Sequence, residues 1–364
     1  MKETFPEGKS DLFAAFIERC LTLLRPHGFM AQVTMQSWMF LSSFEKLRNK
    51  LRRCASIVAM LHMDNMVMRI AFGTSATVWE VGGDPTHPGK YTWMELSDIE
   101  GDKPRVFPAH NERNARAGDD GFFSVAQKDM AVIPGSPIVY WLSEKMRSVF
   151  STNPTLGESA SLAVGLQTGD NNRFLREWWE VSIPRIAFAC TSREDAAQSG
   201  ARWFPYNKGG DFRKWYGNQE FVVNWENDGA EIFNFRPRSV VRNPSTYFSP
   251  SVSWSDISSS EAAFRAFPNG FIHDVKGMSA FAGEDLREKL VLLMNSLIVK
   301  NILKALAPTI NFQIGDVGKI PIPEELLIEE LSATALISKA KQDWDSFENS
   351  WDFGSNPLVA ISYK

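Results

Sequence analysis

The residues best suited to chemistry in this chain are cations set among glycines and aromatic rings. In KGGDFRKWYGN, Lys208, Arg213 and Lys214 stand beside Trp215 and Tyr216 with glycines on both sides. Cations can meet phosphate, amides bared by glycine can meet oxyanions, and rings can lie on sugar or base, which is what a DNA-facing loop needs. In FRPRSVVRN, Arg236, Arg238 and Arg242 have no neighbouring acid. On a strand their even spacing puts them on one face, either a stripe for phosphate and guanine edges or simply the solvent side of a sheet. GLQTGDNNRF places Thr168, Asn171 and Asn172 between and after Gly165 and Gly169, then adds Arg173. That is first the chemistry of a tight turn, with Arg173 as a candidate DNA contact.

Other chemistries find little support. Five histidines (His27, His62, His87, His110, His273) show no HxxxH and no metal-ligand spacing with cysteine or carboxylate, so no metal is expected. No nucleophile and base group themselves into a triad. Cys20, Cys54 and Cys190 are an odd number, far apart, the first two on apolar stretches of predicted helices, and read as reduced core residues. The net charge of -4 argues against a generally basic coat, yet charge is uneven: residues 202–218 and 236–242 are basic and 323–352 acidic. Apolar runs such as EKLVLLMNSLIVKNILKALA are interrupted by lysines and a glutamate, short of the about 18 uncharged residues of a membrane span. With a polar, acidic start instead of a signal peptide, a cytoplasmic location without membrane contact is expected.

These residues need a scaffold, and 364 residues at 44% hydrophobic content suffice for two domains. Residues 10–82 alternate helix and strand. Ser10 is expected to cap a helix stopped by PHG at Gly28, FMAQVTM to form a strand, and Ser42 with Glu45 to form a capping box for a helix through Arg53. SIVAML and ATVWEVG follow as strands, joined too closely for a helical crossover and so an antiparallel pair. Residues 83–130 read as loops with short elements, and GSPIVYWLSEKMRSVF as a helix. From about 156 short β-type runs take over: RIAFACT, EFVVNWEND, EIFNF, SVSWSDI and GFIHDV. AGEDLREKLVLLMNSLIVKNILKAL is the strongest helix, expected to break near its middle. A last amphipathic helix should run from Glu324 toward Trp351, with Trp344, Phe347 and Trp351 on one face. The tryptophans of 174–254 are expected mostly in the core.

The order of these segments resembles a known family. DLFAAFIERCLTLLRPHGFMAQVTMQSWMF, SSFEKLRNKLRR and SIVAMLHMDNMVMRIAFGTSATVWEV are similar to helix D, strand 5, helix E and the closing 6–7 hairpin of class I amino-methyltransferases. GLQTGDNNRF, KGGDFRKWYGN, SVSWSDISS and LLMNSLIVKNILKALAPTINFQIGDVGKIPIP look like a target-recognition half. Together with IPGSPIVYWLSEKM and DWDSFENSWDF they resemble, over nearly the whole chain, the PglX adenine-specific DNA methyltransferases of BREX phage defence.

The resemblance implies an α/β fold: a partial class I (Rossmann-like) methyltransferase sheet over 1–110, a linker with helix over 111–155, a mixed α+β target-recognition domain over 156–325, and a C-terminal helical segment over 326–364. It makes Phe72, in the hairpin linker, the match for an aromatic residue that stacks on a flipped adenine; a core phenylalanine at a strand start is the equal alternative. It implies S-adenosylmethionine for a complete enzyme and double-stranded DNA as partner, with an upstream methyltransferase fragment or other BREX proteins as further partners.

Departures from the family bear on activity. The family's (D/N)PP(Y/F) loop does not occur: NPT at 153, NPS at 243 and NPL at 356 lack the second proline. A glycine-rich turn after a first strand and an acid ending a second are not found either, and AFGTSA lies in the hairpin linker. In the family those elements lie upstream, so strand 29–35 is expected to present an unpaired edge beside an apolar helix. This chain alone is expected neither to bind the cofactor nor to methylate. A non-enzymatic recognition module and an inactive remnant stay open as alternatives.

Overall fold

The computed structural model describes residues 3–100, 121–258, 261–307, 311–328 and 330–361, and residues 101–120, with His110 and part of the expected linker, lie outside the described residues. The fold is mixed α/β, in two compact units, Met1–Thr152 and Asn153–Lys364.

The first unit is built on one sheet of β1 (Phe29–Met35), β2 (Ala55–Met63), β3 (Thr74–Val81), β4 (Pro88–Met94) and β5 (Phe122–Ala126), in the order β1-β3-β2-β4-β5. β3 runs antiparallel to both β1 and β2, β4 parallel to β2, and β5 antiparallel to β4. The antiparallel pair expected from the short connection is thus present. β4 and β5 lie in the stretch expected to be loops with short elements. Proline and glycine in β4 and the brevity of β5 hide any alternation, yet Tyr91 and Phe122 are buried.

Helices α1 (Leu12–Leu21) and α2 (Glu45–Cys54) share one core with Ile57, Met60, Trp79 and Tyr91. Alternation along β2 and β3 supplies those inward side chains, and helical spacing supplies Ala14, Ile17, Leu47 and Leu51. Three local expectations fail. Asp11, not Ser10, caps α1 by accepting from the Phe13 amide, because Asp11 is the residue with extended backbone before the first turn. The left-handed residue after α1 is His27 (φ 59°), tied by its amide to Val81, and not Gly28. Ser42 and Glu45 form no capping box: residues 42–44 make one 3-10 turn that leads straight into α2. All three cysteines are free, but Cys54, the last residue of α2, is exposed and Cys20 only half-buried, so only Cys190 is the buried cysteine expected. Among the described residues β1 has a single neighbour, and Phe16 on α1 with Phe29 and Val33 on β1 are more than half exposed.

GSPIVYWLSEKMRSVF is helical only from Glu144 on. The run 138–142 is buried instead, with Tyr140 stacked on Tyr91 at 4.6 Å and its hydroxyl 3.0 Å from His62 Nδ1, a tertiary fit that overrides the periodic pattern.

The second unit carries two sheets. Strands β6 (Ser161–Ala163), β10 (Ser251–Ser255), β11 (Phe264–Phe267) and β13 (Gly277–Phe281) pair in the order β11-β10-β13-β6, all antiparallel. Strands β7 (Leu175–Glu177), β8 (Trp203–Asn207), β9 (Phe221–Asn224) and β12 (Ile272–His273) pair in the order β12-β8-β9-β7, with β12 parallel to β8. The long helix breaks where expected, into Glu284–Met294 and Leu297–Leu306. Asn295 at the break bonds both the amide and the carbonyl of Phe264.

RIAFACT forms no strand, and Ile186 only bridges Trp203. EIFNF is the end of a helix, Glu226–Asn234, started by three left-handed residues at 227–229 that no strand pattern anticipates. The last helix is interrupted: Glu324–Ile328, then Thr334–Trp344, then turns. Trp344 is buried, Phe347 half-exposed, and Trp351 packs separately on Phe188 and Phe271, so the three rings share no helix face. The tryptophans are core as expected at 203, 225 and 254, but Trp179 is largely exposed.

In the first unit His62 is buried between Gln36 and Tyr140, and burial holds its imidazole at about 4, against an opposing pull from Asp64. The unfolded chain takes up a proton near 6.5, so this stability is complete above that pH and declines as pH falls toward 4, by about 3 kcal/mol in all. Urea unfolding of the first unit between pH 7 and 4.5 should show this decline, and His62→Gln should flatten it. Identical pH slopes for parent and variant would exclude His62 as its source.

Candidate nucleic-acid interface

The turn GLQTGDNN is fixed by backbone pairing on both sides. Leu166 donates to the carbonyl of His273 at 2.8 Å, and Gln167 exchanges two bonds with Val240. Thr168 Oγ1 donates to Asn171 Oδ1 at 2.6 Å, and Asp170 caps the single helical turn Asn171–Phe174 by accepting from Arg173 N at 3.1 Å. Gly169 stands at φ 75°, and a Cβ there would lie 2.5 Å from the Arg238 carbonyl group, so glycine is required on two counts. Held this way, Gln167, Asn171 and Asn172 are exposed.

Two adjoining clefts share Asn171 and Asn172. One, about 420 Å³, is lined also by Gln167, Asp274 and Lys276; the other, about 360 Å³, by Arg176, Glu180, Lys208 and Phe221. Lys208 Nζ lies 4.1 Å from the centre of the Phe221 ring. Lys276 Nζ is 2.5 Å from the buried Asp256. Burial raises the Asp274 carboxyl although Tyr206, whose hydroxyl donates to it at 2.5 Å, and the Lys276 amide pull it down. Asp170 and Asp274 also line the first cleft and Glu177 and Glu180 the second, so the carboxamides, which can both donate and accept, stand among side chains of both charges.

KGGDFRKWYGN is held by its own partners. Trp215, at φ 74°, exchanges backbone bonds with Phe264 and Ala266. The buried Arg265 donates to the Arg213 carbonyl at 3.2 Å and to Ser255 Oγ at 3.1 Å, and Ser255 in turn donates to the Gly210 carbonyl. Arg213 lies over the Trp344 ring at 4.9 Å and 3.3 Å from Asp343. Lys214 Nζ donates to the Asn295 carbonyl, and Tyr216 is buried with Lys341 over its ring.

The arginines of FRPRSVVRN are not on a strand. Residues 235–238 form turns that follow the helix Glu226–Asn234, so the one-face stripe does not exist. Arg236 and Arg238 lie over Phe233 and Phe235, at 4.8 and 5.8 Å, and Arg242 is half-buried. Arg173 is committed to Glu231 through two bonds of 3.0 and 2.7 Å and to the rings of Phe174 and Phe235. In the first unit Phe72 is 44% exposed between β2 and β3, beside exposed Met66, Met68 and Ile70. Sequence reasoning missed Lys276, a single lysine with no basic neighbour, and Arg265, a cation inside the apolar FRAF. Their signal is weak because neither breaks a local pattern that a turn or strand would require.

No group of three metal-ligating side chains occurs among the described residues. No helix among them is long and apolar enough to cross a membrane.

The sequence is 35% identical over 98% of its length to the adenine-specific methyltransferase BrxX of Escherichia coli O9:H4 (strain HS), and equally identical over 98% to PglX of Lacticaseibacillus casei (strain Zhang). The chain is PglX-like. It spans 29% and 30% of the lengths of those two relatives. The model of the Eco57I restriction-modification methylase family matches residues 1–67 of the PglX-like chain. Among solved structures, the type IIL restriction-modification enzyme MmeI in complex with DNA matches with a TM-score of 0.44 at 11% identity, over 95% of this chain and 46% of that one.

Gly169→Ala should destabilise the second unit by roughly 1–3 kcal/mol, through strain at positive φ together with the clash on Arg238. Urea unfolding checks this, and an unchanged midpoint would mean that the turn relaxes freely.

Proposed function

We propose that this chain is the DNA-recognising portion of a site-specific, S-adenosylmethionine-dependent adenine-N6 DNA methyltransferase of bacterial phage defence. The observation that carries the reading is the exposed carboxamide turn, Gln167, Asn171 and Asn172, set between Lys208 and Lys276 in a chain similar to adenine-specific methyltransferases along nearly all of its length. Asparagine and glutamine can bond adenine edges in two places at once, and cations can fix the register on phosphate. Lys208, Arg236 and Arg238, each over a ring, are the phosphate contacts, whereas Lys276 is held by Asp256. Arg173, Arg213, Lys214, Trp215, Tyr216 and Arg242 shape the same surface.

In this reading the first unit supplies the closing strands of the methyltransferase sheet: β1 as its fifth strand, β2 as its sixth and β3 as its seventh, inserted antiparallel between the other two. Phe72, between β2 and β3, stacks on the extruded adenine. The cofactor does not fit the residues present. At Gly73, in the glycine turn of AFGTSA, a Cβ would meet the end of the Gln36 side chain, so protein fills the space a ligand would need at that turn. No step of methyl transfer is therefore assigned to these residues.

Two results are expected. Calorimetric titration with S-adenosylmethionine should show no binding, and micromolar affinity would refute the assignment of this chain as non-catalytic alone. Duplex DNA should bind with an affinity that falls steeply with salt, and Lys208→Ala should flatten the slope of log affinity against log salt by about 1. A mobility-shift series over several salt concentrations measures both, and no retained DNA at low salt would overturn the recognition role.

A further inference from the structure

The C-terminal segment of the second unit raises a separate question of control. Residues 341–352 carry Lys341 against Asp343, Asp345, Glu348 and Asp352, and the glycine-rich loop 208–218 carries Lys208, Arg213 and Lys214 against Asp211. The two segments touch. Asp343 Oδ2 lies 3.3 Å from Arg213 Nη1, and the same guanidinium lies over Trp344 at 4.9 Å. Within the segment, Lys341 is already taken by Asp345 at 2.7 Å and Asp352 at 2.5 Å. Asp343 is left for the loop.

We propose that this acidic arm is a built-in competitor of DNA, with Asp343 standing where a phosphate would otherwise meet Arg213. The inference rests on the DNA-recognition reading above. The arm is fastened at places that do not involve Arg213. Trp178 Nε1 donates to the Asn349 carbonyl at 2.8 Å, Asn349 donates to Glu220, and Trp351 packs on Phe188 and Phe271. Asp343 itself is 64% exposed. The arm therefore need not detach: only one exposed ion pair has to open, and such pairs are weak and screened by salt. A duplex that places a phosphate at the loop displaces Asp343, whereas a loosely held one does not repay the exchange. The contact lowers non-specific affinity more than specific affinity, which raises discrimination by a repulsive element.

The test uses the full 364-residue chain and fluorescence anisotropy with a random-sequence duplex at several salt concentrations. Asp343→Asn keeps the shape of the side chain and the Trp344 packing but removes the competing charge; Asp343→Ser serves as a second variant. Both should bind the random duplex roughly three- to tenfold more tightly at low salt, with a slope steeper by about 1 as one more phosphate is neutralised. Adding Arg213→Ala should abolish the gain. Unchanged or weaker binding by both Asp343 variants, or a gain that persists without Arg213, overturns the competitor while DNA recognition stands. Absence of DNA binding by parent and variants alike overturns both.

Discussion

A guanidinium buried without a carboxylate is the constraint on which the second unit depends. Arg265 is 1% exposed, and burial alone lowers its affinity for the proton to about 10, still far above neutrality, so it enters the fold charged. A buried charge of this kind is tolerated only where dipoles replace water. Here the Arg213 carbonyl and the Ser255 hydroxyl do so, and Ser255 passes the restraint on to the Gly210 carbonyl. Bonded through its two terminal nitrogens, with its buried Nε left without a hydrogen-bond partner, this one arginine ties the carbonyl of residue 213 directly, and that of residue 210 through Ser255, to β10 and β11. The loop that carries the candidate phosphate contacts is thereby a rigid edge of a sheet, although its composition is that of a flexible connection.

The same logic holds at the second element of the surface. The turn 165–173 gains its shape from backbone bonds to residues 240 and 273, far away in sequence, and from the space left at Gly169 beside Arg238. Its carboxamides can face outward because the backbone groups behind them are already paired. Arg173, the one cation in the motif, anchors the turn to the helix Glu226–Asn234 through Glu231, whose carboxyl the arginine's hydrogen bonds hold below its usual range. A cation inside a polar turn can thus be architecture, with the neutral amides left exposed.

How much of this was legible in the sequence follows from where the determining contacts lie. β1, β3 and the antiparallel hairpin were legible because alternation and short connections are local. The break at Asn295 was legible because Asn-Ser interrupts a long apolar run. The run 138–142 was not, since its conformation is set by Tyr91 and His62, some fifty and eighty residues away. EIFNF read as a strand because the left-handed start at 227–229 that turns it into a helix leaves no periodic trace. The basic loops were recognisable as loops, but which of their cations are neutralised depends on Asp343 and Glu231, distant residues that no spacing within the motif indicates.

That division sorts the cations of the second unit by what holds them. Arg173, Arg213 and Lys276 meet carboxylates, which restrain the side chain and oppose its charge. Lys208, Arg236 and Arg238 instead lie over Phe221, Phe233 and Phe235, and among the described residues none of the three forms an ion pair. An aromatic face restrains a cation by attraction to its quadrupole without adding negative charge, so the positive field that a polyanion would meet survives. The abundance of phenylalanine next to arginine in this stretch then has a physical meaning beyond core packing. Rings give orientation without cancelling charge, although Glu177 and Glu180 line the cleft that Lys208 also lines. A surface built for its own stability would pair such cations with the acids in which this chain is rich; leaving them on rings is the arrangement expected where the missing counter-charge arrives with a ligand.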